Sequence, residues 1–305
     1  NIDGGNNTAL GSEAMYLNTS GSTNSAIGNG ALAGNTSGNS NTVQGWRTMF
    51  LNKTGFSNVA IGINALYSNA NRSNLIAVGD SALFNNTTGQ YNSGVGSKTL
   101  YTNISGNENT AYGYRSLYFN ESGSKNIAVG ANTMLNNTSG NYNVAVGNYA
   151  LFNNTTKSNL VAIGDSALYN NGSFNPGATY AIDNTAVGSK SLTNNAAGSR
   201  NTSVGSRSLY TSNGDDNVAV GAEALKAMIG GNSNTAIGSG AIKVNTNGNN
   251  NTAIGYGAGG AATTGSRNVF IGLNAGYNET GSDKLYIANS NADANNALLY
   301  GEFNN

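Results

Sequence analysis

The sequence predicts an all-β fold, a parallel β-solenoid (β-roll) of about sixteen 17-residue coils. Three observations predict it: a fixed period, two apolar pieces per period that are too short for helices, and Gly and Asn held at constant places between them. The period is plain near the C-terminal end, where "NTAIGYGAGGAATTGSR" (Asn251–Arg267) runs straight into "NVFIGLNAGYNETGSDK". The Gly that closes each "NTAIG"-like phrase falls at Gly11, Gly28, Gly45, Gly62, Gly79, Gly96, Gly113, Gly130, Gly147 and Gly164, always 17 apart. It continues at Gly188, Gly205, Gly221, Gly238, Gly255 and Gly272, after one seven-residue insertion and with one single-residue deletion. A fixed repeat of this length means a repeat architecture in which each copy needs its neighbours to bury a core.

Positions within a copy are counted here from that Gly. Position −4 is Asn in fourteen of the sixteen copies, and in the other two Asn74 and Asn159 stand one place earlier. Position −1 is Ile or Val in thirteen copies, and −2 is mostly Ala. A Leu, Met or Ile at +4 and a frequent aromatic at +5 form the second apolar piece. Asn at +7 and Gly at +10 close the copy. The first piece, as in Val59-Ala60-Ile61, is β-branched and reads as a short strand. Gly and Asn are expected to supply the positive-φ corners.

Stacked coils place equivalent residues about 4.8 Å apart, so identical side chains form ladders. The Asn at +7 is the candidate for a structural ladder, through Asn86, Asn103, Asn120, Asn137 and Asn154. It hardly varies between copies, whereas the next residue does: Thr87, Ile104, Glu121, Thr138. An inward-turned ladder, each amide bonding its neighbour or the turn backbone, accounts for that difference.

Both faces of the short strand are apolar or small, whereas a half-exposed sheet normally keeps its solvent face polar. The second face is therefore expected to pack against other chains around a common axis, giving a homotrimer.

Composition narrows the function. Only 9% of the 305 residues are charged, with 14 basic and 14 acidic side chains, so nothing points to nucleic acid. The absence of His and Cys removes imidazole bases, thiolate nucleophiles and the usual zinc ligands. No apolar run is long enough to insert in a membrane. No acidic pair recurs on neighbouring coils as a polysaccharide-cleaving pair would require. "GYGAGG" lacks the Lys-Ser/Thr ending of a phosphate loop. No catalytic residue, metal ligand or cofactor is expected, and the protein is read as no enzyme. At least fifteen Asn-x-Ser/Thr sequons, Asn18, Asn35, Asn86 and Asn137 among them, are read as accidents of turn chemistry.

Residues 1–275 are read as the repeat domain, with an insertion near 170–184, and 276–305 as an exit or cap segment leading to a stalk. A loop that interrupts a strict repeat sits outside the stack, where binding is usually placed. Phe174, Pro176, Tyr180 and Asp183 are the candidate binding loop.

"NTAIGxxAL" followed by a Gly turn resembles the head repeat of YadA-like trimeric autotransporter adhesins. The longer "NTAIGxxALxxNTTGxx" also resembles repeats of tail-fibre-like bacterial surface proteins. The resemblance covers the whole chain and implies a left-handed, three-chain β-roll on a cell surface or virion tail fibre. Its implied partners are a host surface, extracellular matrix or a glycan receptor. Adhesin head repeats are nearer fourteen residues, so the extra "NNTTG" turn is expected to bulge outward. The leading expectation is a non-enzymatic extracellular fibre segment for adhesion. A structural filament subunit is the alternative, then an ice-binding solenoid carried by Thr8, Thr42, Thr110, Thr185, Thr202, Thr235 and Thr252 at −3.

Overall fold

The computed structural model describes residues 3–172, 180–291 and 293–303. Among them there are eighteen strands and no helix. The protein is a parallel β-solenoid of about sixteen coils, each contributing one three-residue strand. The chain divides into two compact units, Asn1–Thr156 and Lys157–Asn305.

In the first unit, strands β1 (Thr8–Leu10) to β9 (Val144–Val146) follow in chain order. Each pairs with the next so that residues 17 apart stand side by side, as with Ala60 and Ala77. In the second unit, β10 (Val161–Ile163) to β16 (Val269–Ile271) repeat the arrangement. There β17 (Lys284–Ile287) adds one more parallel strand, and β18 (Leu299–Glu302) pairs with it antiparallel, ending the repetition.

The strands turn the Ala at −2 inward: Ala26, Ala60, Ala128 and Ala236 are fully buried within a single chain. The residues at −3 and −1 face outward. The sequence reading left open which of the two faces turns into the coil; it is the Ala face, so the face left for other chains is that of −3 and −1. The interior is narrow. Most coils fill it with Ala at −2, a small residue at +3, Leu or Met at +4, and the Asn at −4 and +7. Most coils bury only one or two large apolar side chains, so backbone and side-chain hydrogen bonds between coils carry much of the cohesion.

Four corners of every coil have positive φ, and their residues are not those the sequence suggested. The Gly at 0 sits at φ from +112° to +137°, a region essentially closed to other residues. The corners at −5, +2 and +4 lie near +44° to +68° in all sixteen coils, and most are not Gly. Leu66, Leu83, Leu100 and Leu117 all adopt φ near +50°. A left-handed Leu is rare because its Cβ crowds the following carbonyl. It is held here by intercoil bonds such as Leu66 N–H to Ala82 O (3.0 Å) and by burial of the side chain.

The same strain is removable where the side chain is not needed. Lys98 occupies the +2 corner at φ +59°, a place filled by Gly at Gly30, Gly240 and Gly257. Lys98→Gly is expected to raise stability by about 0.5–1 kcal/mol, relief of the left-handed strain exceeding the entropy cost of Gly. Urea unfolding checks this; a loss of stability would mean that the corner is not strained.

The Gly at +10 is needed for a different reason. Its φ is ordinary, but a Cβ on Gly123 would lie 2.5 Å from the carbonyl oxygen of Gly140 in the next coil. Two departures, Arg72 and Lys157, each precede by three residues a Leu in place of the −4 Asn, at Leu75 and Leu160. Both Leu side chains are fully buried. Asn74 and Asn159 are therefore not displaced ladder residues; they occupy the −5 corner at φ +59° and +60°.

Candidate functional site

Each coil presents an interior polar network and two outward faces. In the network, Asn103, Asn120, Asn137 and Asn154 each donate from Nδ2 to Oδ1 of the Asn one coil earlier, at 2.7, 2.7, 2.8 and 3.1 Å. Those four and Asn86 are fully buried. Asn18, Asn35, Asn52 and Asn69 form a similar run, which ends where Asn69 Oδ1 accepts the Arg72 backbone N–H instead.

A second ladder at −4 was visible in the sequence only as near-invariance. Asn41, Asn109, Asn126, Asn234 and Asn251 each donate from Nδ2 to Oδ1 of the −4 Asn one coil earlier. The two ladders meet at the +10 carbonyl: Gly123 O accepts Asn109 Nδ2 at 2.8 Å and Asn120 Nδ2 at 2.9 Å. The turn therefore does not bulge outward as a whole. Its Asn and Gly point into the stack, and only residues such as Thr87 and Thr88 are exposed.

This geometry decides the sequons. The acceptor nitrogens of Asn18, Asn35, Asn86 and Asn137 are buried and donate to turn carbonyls or ladder neighbours. An N-glycan on any of them is incompatible with the stacked coil.

The first outward face is the strand face. At −1 it carries a column of β-branched side chains, with Ile163, Val220, Ile237, Ile254 and Ile271 between 36 and 42% exposed. At −3, Ile76 and Ile127 are likewise exposed. Thr recurs at −3 but never in more than two successive coils; Val218 separates Thr185 and Thr202 from Thr235 and Thr252. A regular Thr array of the kind an ice-binding face needs is not formed.

The second face carries the +5 aromatics. Phe50, Tyr67, Phe84, Tyr101 and Tyr118 stack with centroids 5.1–5.6 Å apart and planes within 4–11° of parallel. Each ring covers its neighbour's face, so the ladder offers solvent mainly ring edges.

Asp215, Asp216, Glu223, Asp283 and Glu302 are each paired with a basic side chain. Glu223 bonds Lys226 and Lys243 at 2.7 and 2.6 Å, which pulls its carboxyl down to about 2. A general acid needs the opposite shift. Asp216 and Asp283 are held low by Arg200 and Arg267. Among the described residues no three His, Cys, Asp or Glu side chains gather as a metal site. No helix among the described residues is long and apolar enough to cross a membrane.

Of the candidate binding loop, Phe174 and Pro176 lie outside the described residues. Tyr180 is 60% exposed. Asp183 is the −5 corner of its coil at φ +57°, so it belongs to the stack.

Comparison with protein-family models and with curated proteins finds no match to this chain.

Proposed function

We propose that the protein is a non-enzymatic fibre segment of an extracellular or virion surface, assembled as a homotrimer through its strand faces. The observation that supports this reading is the exposed column of β-branched side chains at −1. Water-facing strands usually alternate to polar residues, and a long apolar stripe marks a surface that is covered in use. Three copies around one axis would cover all three stripes at once, leaving the turns and aromatic edges outside. The "NTAIGxxAL" resemblance to YadA-like head repeats points to the same arrangement. Contact with a host surface, extracellular matrix or glycan would then come from many equal, weak sites on one repetitive body, so that avidity replaces a single strong site.

Light scattering tests the assembly. The expected mass is three times the 31.0 kDa chain. The double change Ile237→Asp, Ile254→Asp should lower it, because charge on the buried stripe repels its own copies. A wild-type monomer with the mass and melting temperature of the double variant would overturn the trimer.

A further inference from the structure

Three departures from the repeat fall together on one cleft. Position +11 is Ser or Asn in most coils, and its side chain accepts the backbone N–H of the +11 residue one coil earlier. Asn39 accepts in this way from Ser22, Asn107 from Gln90 and Asn141 from Ser124. Phe56 stands at +11 and has no acceptor to offer. Position +10 is Gly in most coils, but one coil after Phe56 it is Arg72. There Asn69 Oδ1 leaves the ladder and accepts the Arg72 backbone N–H at 3.2 Å. One coil further on, Tyr91 takes the −5 corner at φ +57° and is 58% exposed. Phe56, Arg72 and Tyr91 all line a cleft of ≈ 230 Å³, with Asn71, Ser73 and Gln90 beside them.

Phe56 and Arg72 each give up a bond that the plain repeat makes, so stacking does not select them. Residues that break a local rule without a structural gain mark function. A +10 cation followed by Leu at −4 recurs at Lys157 and Leu160, but Lys157 is buried. That pairing therefore does not by itself require an open cleft.

The lining selects the guest. Among the described residues no acidic side chain lines the cleft, and the buried Arg72 Nε–H meets no acceptor. A guanidinium without a counter-ion in the protein is matched by a carboxylate. Asn71, Ser73 and Gln90 add neutral donors and acceptors of the kind that hydroxyls need. The main chain here is already committed. Phe56 N–H donates to Ser73 Oγ, Asn74 N–H donates to Phe56 O, and Arg72 O accepts from Asn58 and Asn69. A peptide finds no strand edge to extend.

We propose that the cleft at Phe56, Arg72 and Tyr91 binds a carboxylated sugar unit of an acidic glycan. The carboxylate meets Arg72, the hydroxyls meet the amides and Ser73, and C–H groups pack on the two aromatic side chains. This deepens the adhesive reading and rests on it for its biological meaning. The lining residues fall between +9 and −5, outside the −3 and −1 columns assigned to trimer contact.

Saturation-transfer NMR on the full chain tests it. The probes are methyl β-glucuronide, the methyl glycoside of N-acetylneuraminic acid, neutral methyl β-glucoside and a capped tri-aspartate peptide. Affinity for at least one acidic glycoside should exceed that for the glucoside tenfold or more. Arg72→Gly restores the repeat residue and should abolish this preference without lowering the melting temperature. Tyr91→Asn, which puts at this corner the residue found at Asn74, should weaken binding at least threefold with the melting temperature unchanged. A purely structural role for these residues would move stability and binding together. No transfer to either acidic glycoside, equal affinity for the glucoside, binding unchanged in both variants, or tighter binding of the peptide overturns the proposal. Attachment of the protein to glycan-coated and bare cell surfaces separates the two readings. Attachment without glycoside transfer sinks the cleft alone, and transfer without attachment sinks the adhesive role alone.

Discussion

Replacing Asn120 by Leu is expected to cost roughly 3 kcal/mol or more, while Glu121→Ala one residue later costs less than about 0.5 kcal/mol. Asn120 donates to Asn103 Oδ1 and to Gly123 O, and its own Oδ1 accepts from Asn137. A Leu there leaves two acceptors and one donor without this partner at a site that water does not reach. Each buried group so orphaned costs about 1–3 kcal/mol. Glu121 is exposed, and its contribution to the stack comes from its backbone: its carbonyl accepts from Ile104 and Ser105, and its N–H donates to Thr138. Removing the side chain disturbs none of these. Chemical denaturation of both variants checks the contrast. Equal losses would mean that the ladder is turn composition with no energetic role.

Gly113→Ala should be worse still. The residue sits at φ +126°, where a side chain is strained whatever the space around it. Its Cβ would also stand 2.6 Å from the Gly130 carbonyl oxygen, and that backbone is fixed by the next coil. Relief requires the two coils to part, which breaks strand pairing at β-residues on both. A loss above about 3 kcal/mol, or a chain without cooperative unfolding, is expected. Gly240→Ala is the control. Gly240 has φ +68° with open space around it, and other coils hold Arg47 or Lys98 at that corner. Its loss should be about 1 kcal/mol. Similar losses at the two sites would show that close coil approach is not what selects Gly at 0.

The period, the strand positions and the +7 Asn column were legible because each is a statement about recurrence, and internal copies supply the comparison. The side of the strand that faces inward was not. In Val59-Ala60-Ile61 both alternations are apolar, so hydrophobicity alone gives no direction. Interior width decides it: beside Leu66 and two Asn side chains there is room for Ala60 but not for Ile61. The corners were misassigned because propensity argues against a left-handed Leu, and hydrogen bonding repeated from coil to coil overrules propensity. The −4 and +7 columns looked independent in sequence; their shared acceptor at +10 appears only when the coil closes.

The two irregular steps of the repeat show where this chain can change length. Between Gly205 and Gly221 one residue is missing, yet Thr202 still pairs with Val218 and Leu209 N–H still reaches Ala224 O. The shortfall is absorbed in the turn after +4. The seven-residue insertion likewise falls after +4, since Ser191 O still accepts from Leu168 N–H and Thr185 still pairs with Val161. From −4 to +4 the coil is a fixed frame in which a one-residue slip would exchange Ala60 for Ile61 in the interior. Beyond the +7 position it is an editable hem: at the insertion Asn171 still accepts from Asn195, and the added residues follow it. Whole copies can be gained or lost in multiples of seventeen, because every coil offers its neighbours the same rows of donors and acceptors. A foreign peptide spliced at the hem should alter what the surface displays while leaving the stacking code intact, making the fold a ready carrier for grafted epitopes at regular spacing.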